Sequence, residues 1–135
     1  MNTSITIDPS GALAVSWLVR ESTSRGPISR LRILVDVPAE AALLPKYAIK
    51  LALGIVCERT PAGVRLGWGV PSRDTAPVFG SFAECEAWLL ERCAGMQAIA
   101  RELAGTATGL YHADRAAFLS CCVTVLRNHA HRLWS

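Results

Sequence analysis

Apolar positions along this chain change their spacing at Ser81. Before Ser81 they recur mainly every second position, the period of a β-strand, and after it every three to four positions, the period of an amphipathic helix. The junction reads Ser81-Phe82-Ala83-Glu84, which fits a capping box, in which a serine and a glutamate satisfy backbone N–H groups at a helix start. We therefore predict a single domain over residues 1–135, with a sheet half at 1–80 and a two-helix half at 81–135.

Alternating runs predict about five strands within residues 3–71. The runs are residues 3–7, 12–20, 28–37, 46–58 and 64–70, with a short helical turn predicted at 39–44 and an irregular connector at 71–80. In the second strand the alternation places Leu13, Val15, Trp17 and Val19 toward the core, and Ala14, Ser16, Leu18 and Arg20 away from it.

Two one-sided helices are predicted at about 82–104 and 113–133. Gly105 is a suitable terminator of the first helix, because glycine readily adopts the left-handed conformation that ends helices. The predicted apolar stripes are Cys85, Trp88, Leu89, Cys93, Met96, Ile99, Ala100 and Leu103 on the first helix, and Phe118, Leu119, Cys122, Leu126, Ala130 and Leu133 on the second. Both stripes need cover, so we predict an α+β fold in which the two helices pack on one face of a mostly antiparallel sheet. Short loops favour a meander, although the sequence leaves the strand order open.

Composition supports a globular chain. Of the 135 residues, 51% are hydrophobic and 19% are charged, which argues against disorder. No apolar run is long enough to span a bilayer, and the N-terminus lacks the basic and apolar regions of a signal peptide. We therefore expect a cytoplasmic protein with no membrane partner.

Charge directs attention to the sheet. The net charge is +3, and the positive excess lies in the first 80 residues. If the apolar side of each strand faces the helices, the other side exposes a basic surface that could bind a nucleic-acid backbone or an acidic protein surface. Basic residues are also ordinary on the solvent side of an antiparallel sheet. The predicted surface comprises Arg20, Arg30, Arg32, Lys46, Lys50 and Arg65.

Cysteine and histidine positions give little sign of chemistry. Five cysteines without a Cys-x-x-Cys pair favour buried, reduced thiols over disulfides or zinc, so no metal or cofactor is expected. Cys122 is predicted to lie in the core and Cys121 beside it. His129 falls in the second apolar stripe, where a buried histidine with one hydrogen bond is favoured over a general base or a ligand.

The chain contains no dinucleotide fingerprint, phosphate-binding loop, nucleophile elbow or zinc-protease motif; whether it is an enzyme is left open, with the balance against. We expect a small non-catalytic protein-binding module of the inhibitor, immunity or adaptor type, of a kind that mobile elements carry, with a protein partner that has an acidic surface. Two alternatives are nucleic-acid binding through the basic sheet face and a small enzyme with a pocket near His129. An exposed edge strand, or the Trp134 end of the second helix, could also form a homodimer. The candidate binding residues are Arg20, Arg30, Arg32, Lys50, Arg65 and Trp134, the last as an exposed aromatic anchor.

Overall fold

The computed structural model describes residues 3–9, 11–23, 26–36, 55–68 and 77–134. The predicted helical turn at 39–44, the first part of the predicted strand at 46–58, and Lys50 lie outside these residues. The elements in chain order are β1 (Thr3–Ile7), β2 (Leu13–Thr23), β3 (Gly26–Asp36), β4 (Ile55–Thr60), β5 (Gly63–Trp68), β6 (Val78–Phe79), α1 (Phe82–Glu102) and α2 (Ala107–Leu133).

The six strands of the described ranges form one antiparallel sheet in the order β1-β2-β3-β4-β5-β6. Each described strand pairs with the next one along the chain, so for this part of the chain the predicted meander and the predicted α+β class are confirmed. The sequence analysis missed β6 because two residues, Val78 and Phe79, are too short to show a period. They pair with Arg65 and Val64 of β5.

Local signals begin both helices. The Ser81 hydroxyl accepts a hydrogen bond from the Glu84 N–H at 3.3 Å, and the Glu84 carboxylate accepts one from the Gly80 N–H at 3.3 Å. The predicted start of α1 is thus confirmed. Gly105 lies in the turn that follows α1, as predicted. Its φ is 83°, a left-handed conformation that favours glycine.

The predicted start of α2 at residue 113 was wrong, because the helix begins at Ala107. Thr106 caps it, accepting a hydrogen bond from the Gly109 N–H at 3.0 Å. A Cβ atom at Gly109 would lie 2.2 Å from the Leu103 carbonyl oxygen, so the close approach of the two helices at this turn requires glycine.

The core lies between the sheet and the helices. α2 packs on β1, β2 and β3, whereas α1 packs against α2 and reaches β6. The largest fully buried side chains include Leu31, Ile33, Ile55, Leu66, Phe118, Leu119 and Leu126. Because α2 has the sheet on one side and α1 on another, it is buried beyond its predicted stripe. Cys121, expected beside the core, is fully buried. On α1, by contrast, Ile99 and Leu103 of the predicted stripe are each 37% exposed.

The prediction was also wrong about which side of β2 faces the core. Ala14 and Ser16 are fully buried and Leu18 packs against the core cluster, whereas Leu13 is 37% exposed. The side that carries Ala14, Ser16, Leu18 and Arg20 is the less apolar of the two, so the alternation alone favoured the wrong side. The small side chains at positions 14 and 16 let α2 lie close to the strand. We call the side of the sheet opposite the helices the outer face.

Candidate binding surface

The outer face of β1, β2 and β3 carries an unusual set of exposed apolar side chains. Strand register places Ile5 opposite Val15 and Ile7 opposite Leu13, and it places Val15 opposite Leu34. Directly paired residues of an antiparallel sheet point to the same face. These five side chains therefore form one group across three neighbouring strands.

Four of the five side chains are exposed to solvent. Ile5 is 69% exposed, Ile7 72%, Leu34 44% and Leu13 37%. We call these four residues the apolar patch. With about 4.8 Å between strands and about 6.8 Å between alternate residues, the five positions cover roughly 160 Å² of the sheet face. Apolar surface residues scattered singly are ordinary, whereas a contiguous group of this kind is a candidate interaction site.

Trp17 and Arg32 border the apolar patch on the outer face. They lie directly opposite each other in the β2–β3 register, and both are half-buried. Tryptophan and arginine are the residue types most enriched among the residues that dominate binding energy at protein interfaces. The two faces of β2 were misassigned from the sequence. For that reason Trp17 was predicted to lie in the core, and the apolar patch was not predicted.

Among the described residues, the predicted basic side chains do not form one exposed surface. Arg30, Arg32 and Arg65 do lie on the outer face, as expected. Arg30, however, is 7% exposed, and its guanidinium lies 3.8 Å from the Glu58 carboxylate, so it was wrongly predicted to be exposed. Arg65 is half-buried, and Arg20 is exposed on the helix-facing side of β2, in alternation with Ser16 and Leu18.

Trp134 is not the exposed anchor that the sequence suggested. It is half-buried, and its indole N–H donates a hydrogen bond to the Phe79 carbonyl at 2.9 Å. Its ring packs on Phe82 with 5.7 Å between centroids. Trp134 therefore joins the C-terminal end of α2 to β6 and the start of α1.

A buried carboxylate anchors β1 to α2. Asp8 is 2% exposed, and its two oxygens accept hydrogen bonds from Ser120 Oγ at 3.1 Å and from Thr124 Oγ1 at 2.6 Å. Its backbone N–H also donates to the Ala12 carbonyl at 2.9 Å, which closes the β1–β2 turn. The sequence analysis did not single out Asp8, because its hydroxyl partners lie more than a hundred residues away. This cluster positions the strand that carries Ile5 and Ile7.

His129 behaves as the sequence predicted. It is 6% exposed, and its Nε2 lies 3.4 Å from the hydroxyl of fully buried Ser16. Burial lowers the pKa of His129, and the neighbouring charges of Arg132 and His131 lower it further. Because both members of the pair are closed to solvent, neither meets a substrate in this structure.

The helices leave a groove of about 390 Å³ between them, and His129 is not among its lining residues. Most of the lining is alanine, and its polar side chains are Gln97, Arg101 and Ser120. Since His129 does not line this groove, the groove does not provide the pocket near His129 that the enzyme alternative requires.

All five cysteines are buried and unpaired, as predicted. Burial raises the pKa of every one of these thiols, to about 12 for Cys85 and about 11 for Cys121. The negative charge of Asp8 raises the pKa of Cys121 further. Since the thiolate is the reactive form, these side chains are poor nucleophiles and poor metal ligands in the folded protein.

The described ranges lack two further features. Among these residues, no cluster of three histidine, cysteine, aspartate or glutamate side chains could hold a metal ion. Neither described helix is long and apolar enough to cross a membrane.

Comparison with known proteins adds no relative. No protein-family model matches the chain, and neither a curated protein nor a solved structure is significantly similar to it. The case for a function therefore depends on the surface itself.

Proposed function

We propose that this chain is a small non-catalytic protein-binding module that recognises another protein through the apolar patch. The observation that carries the proposal is the exposure of Ile5, Ile7, Leu13 and Leu34 together on three paired strands. A sheet holds these side chains in fixed positions, so binding requires little ordering of the surface.

The exposed fractions set the energy available to a partner. Together the four side chains expose about as much surface as two fully exposed ones, and fully burying one such side chain stabilises by about 1.5–3 kcal/mol. The apolar patch thus offers roughly 3–6 kcal/mol. Association costs about 4 kcal/mol or more in lost freedom of motion, so the partner must also contact the border. Trp17 and Arg32 lie there.

The two alternatives have less support. Nucleic-acid binding through the sheet needs exposed basic side chains, and Arg30 is buried beside Glu58. Catalysis near His129 needs access to that histidine, which is 6% exposed. We therefore favour an inhibitor, immunity or adaptor role over both. Five unpaired cysteines agree with a reducing compartment, so we also infer a cytoplasmic location.

Quantitative co-purification from the source cells tests the proposal. The bait is the tagged full chain, either unchanged or carrying Leu13→Lys and Leu34→Lys together, which place two charges in the apolar patch. The matched control is Ala98→Lys, at an exposed position of α1. We expect one protein to co-purify with the unchanged chain and with the control, and to fall at least about tenfold with the double variant, since tenfold corresponds to about 1.4 kcal/mol. Equal recovery with all three baits would refute the proposal.

A further inference from the structure

We propose that β1 pairs with β1 of a second copy of this chain across a two-fold axis, which joins the two sheets into one. This inference rests on the proposed function, because it names a second copy as the partner of one edge of the apolar patch. The contrast between the two edges of the described sheet and the sequence of β1 support this pairing.

The two edges of the described sheet differ in their protection. β6 has only two residues, the chain enters α1 three residues later, and Trp134 donates a hydrogen bond to the carbonyl of its second residue, Phe79. β1, at the other edge, runs for five residues, Thr3–Ile7. Proteins normally blunt an open edge with charged residues, proline or a bulge. The sequence of β1, Thr-Ser-Ile-Thr-Ile, has no charged residue and no proline.

β1 is also complementary to itself. An antiparallel pairing centred on Ile5 matches all five residues, with Thr3 opposite Ile7, Ser4 opposite Thr6, and Ile5 opposite its own copy. On the outer face this brings together isoleucine and threonine methyl groups, and on the helix-facing side it brings together hydroxyl groups. Both kinds of pair stabilise antiparallel sheets, and no charges oppose each other. A two-fold axis generates this contact from one surface.

The pairing would enlarge the candidate binding surface. The five-residue group that contains the apolar patch covers roughly 160 Å², which is smaller than the approximately 800 Å² that each partner contributes to a standard interface. Ile5 and Ile7 lie on the edge strand, so pairing two copies places the two apolar patches side by side on one continuous outer face. The pair then presents about twice the apolar area to a common partner.

Sedimentation of the full chain with a charge swap tests the pairing. Ile5 is 69% exposed, so a charged residue there leaves the core untouched. We expect the unchanged chain to form a dimer of the 14.5 kDa protein. Ile5→Lys and Ile5→Glu, each alone, place like charges opposite each other and raise the dissociation constant about 10- to 100-fold. An equal mixture of the two variants restores the dimer, because the charges then attract.

Leu34→Lys is the matched control, because Leu34 lies on the same face but two strands from the edge. It leaves the edge-paired dimer intact. A monomeric unchanged chain at all concentrations, or a dimer indifferent to both Ile5 substitutions, would overturn the inference. A dimer broken by Leu34→Lys would also overturn it, since that result indicates face-to-face packing.

Disulfide trapping gives a second readout that does not depend on charge. Cα atoms of directly opposed residues in an antiparallel pair lie about 4.5–5.5 Å apart, which falls within the range that a disulfide spans. Ile5→Cys should therefore form an interchain disulfide on mild oxidation, whereas Leu34→Cys should not. The five native thiols are buried and give little background. Equal trapping at both positions, or none at either, would contradict the pairing.

These outcomes separate the inference from the proposed function. A monomeric chain that still captures a protein in a Leu34-dependent manner refutes the pairing alone. The opposite result is a dimer that Ile5 substitutions break, together with no co-purifying protein that depends on Leu34. That result supports the pairing and refutes the proposed function.

Discussion

Replacement of Asp8 by alanine should weaken the fold strongly, because this carboxylate joins the edge strand to the central helix. Asp8 is 2% exposed and accepts hydrogen bonds from Ser120 at 3.1 Å and Thr124 at 2.6 Å. Hydrogen bonds to a charged group contribute about 1.5–3 kcal/mol each. Part of this is offset, because alanine removes the desolvation cost of the buried carboxylate. Thr124 also has a second acceptor, the Ser120 carbonyl at 3.2 Å.

We therefore expect Asp8→Ala to lower the free energy of unfolding by about 2–4 kcal/mol. The assay is equilibrium unfolding in urea, with far-ultraviolet circular dichroism and tryptophan fluorescence as independent probes of a two-state transition. Of the two hydroxyl hydrogen bonds to Asp8, Thr124→Val removes only the shorter, and it should cost about 1–2 kcal/mol. In a double-mutant cycle the two changes should couple by at least about 0.5 kcal/mol.

If Asp8→Ala lowers the free energy of unfolding by less than about 0.5 kcal/mol, this reasoning is refuted, because a change of that size is expected of an ordinary surface substitution. Full additivity of the two changes would refute the direct contact between Asp8 and Thr124. Either result would leave β1 without the anchor that we assign to it, and the position of Ile5 and Ile7 would need another explanation.

Three further predictions concern the helices and the buried titratable groups. Gly109→Ala should lower the free energy of unfolding by about 1–3 kcal/mol, because its Cβ would lie 2.2 Å from a backbone oxygen. In the control, Gly95→Ala, the added Cβ meets nothing within 4 Å, and the substitution should raise that free energy by about 0.5–1 kcal/mol. Equal effects of the two substitutions in urea unfolding would contradict this explanation. Burial lowers the pKa of His129, so the unfolded chain binds more protons below about pH 6.5, the pKa of the unfolded group. As the pH drops through that region, the free energy of unfolding should fall by up to about 1.4 kcal/mol per pH unit. If His129→Leu shows the same dependence of unfolding free energy on pH, the assignment of this effect to His129 is refuted. Burial raises the pKa values of the Cys85 and Cys121 thiols to about 12 and about 11. These thiols should therefore not react with a reagent such as dithionitrobenzoate until the protein unfolds. Fast reaction in the native state would show that they are accessible.

The features that the sequence predicted correctly are local. The Ser81 and Glu84 cap was predictable because both residues satisfy backbone groups within one turn. The strands were predictable as elements because each run spans enough residues to show a two-residue period. His129 was correctly predicted to be buried because its helix position lies among apolar neighbours.

The features that the sequence did not predict depend on contacts between distant residues. Leu18 and Trp17 are both large and apolar, so only the position of α2 decides which of them faces the core. Arg30 is buried and lies beside Glu58 on the next strand, and this pairing depends on a register that the sequence left open. Trp134 finds its hydrogen-bond acceptor 55 residues away, on β6. For these reasons the candidate binding surface in the structure is the apolar patch and not the set of basic residues predicted from the sequence.

Site-specific photo-crosslinking in the source cells tests the central claim most directly. A benzophenone side chain is placed at Leu34, in the centre of the outer face, and at Ala98, an exposed control position on α1. We expect a discrete adduct with another protein from position 34, none from position 98, and loss of the adduct when Leu13→Lys is added. The same adducts from both positions, or no adduct from position 34, would contradict the claim that the outer face of β1–β3 is a protein-binding surface.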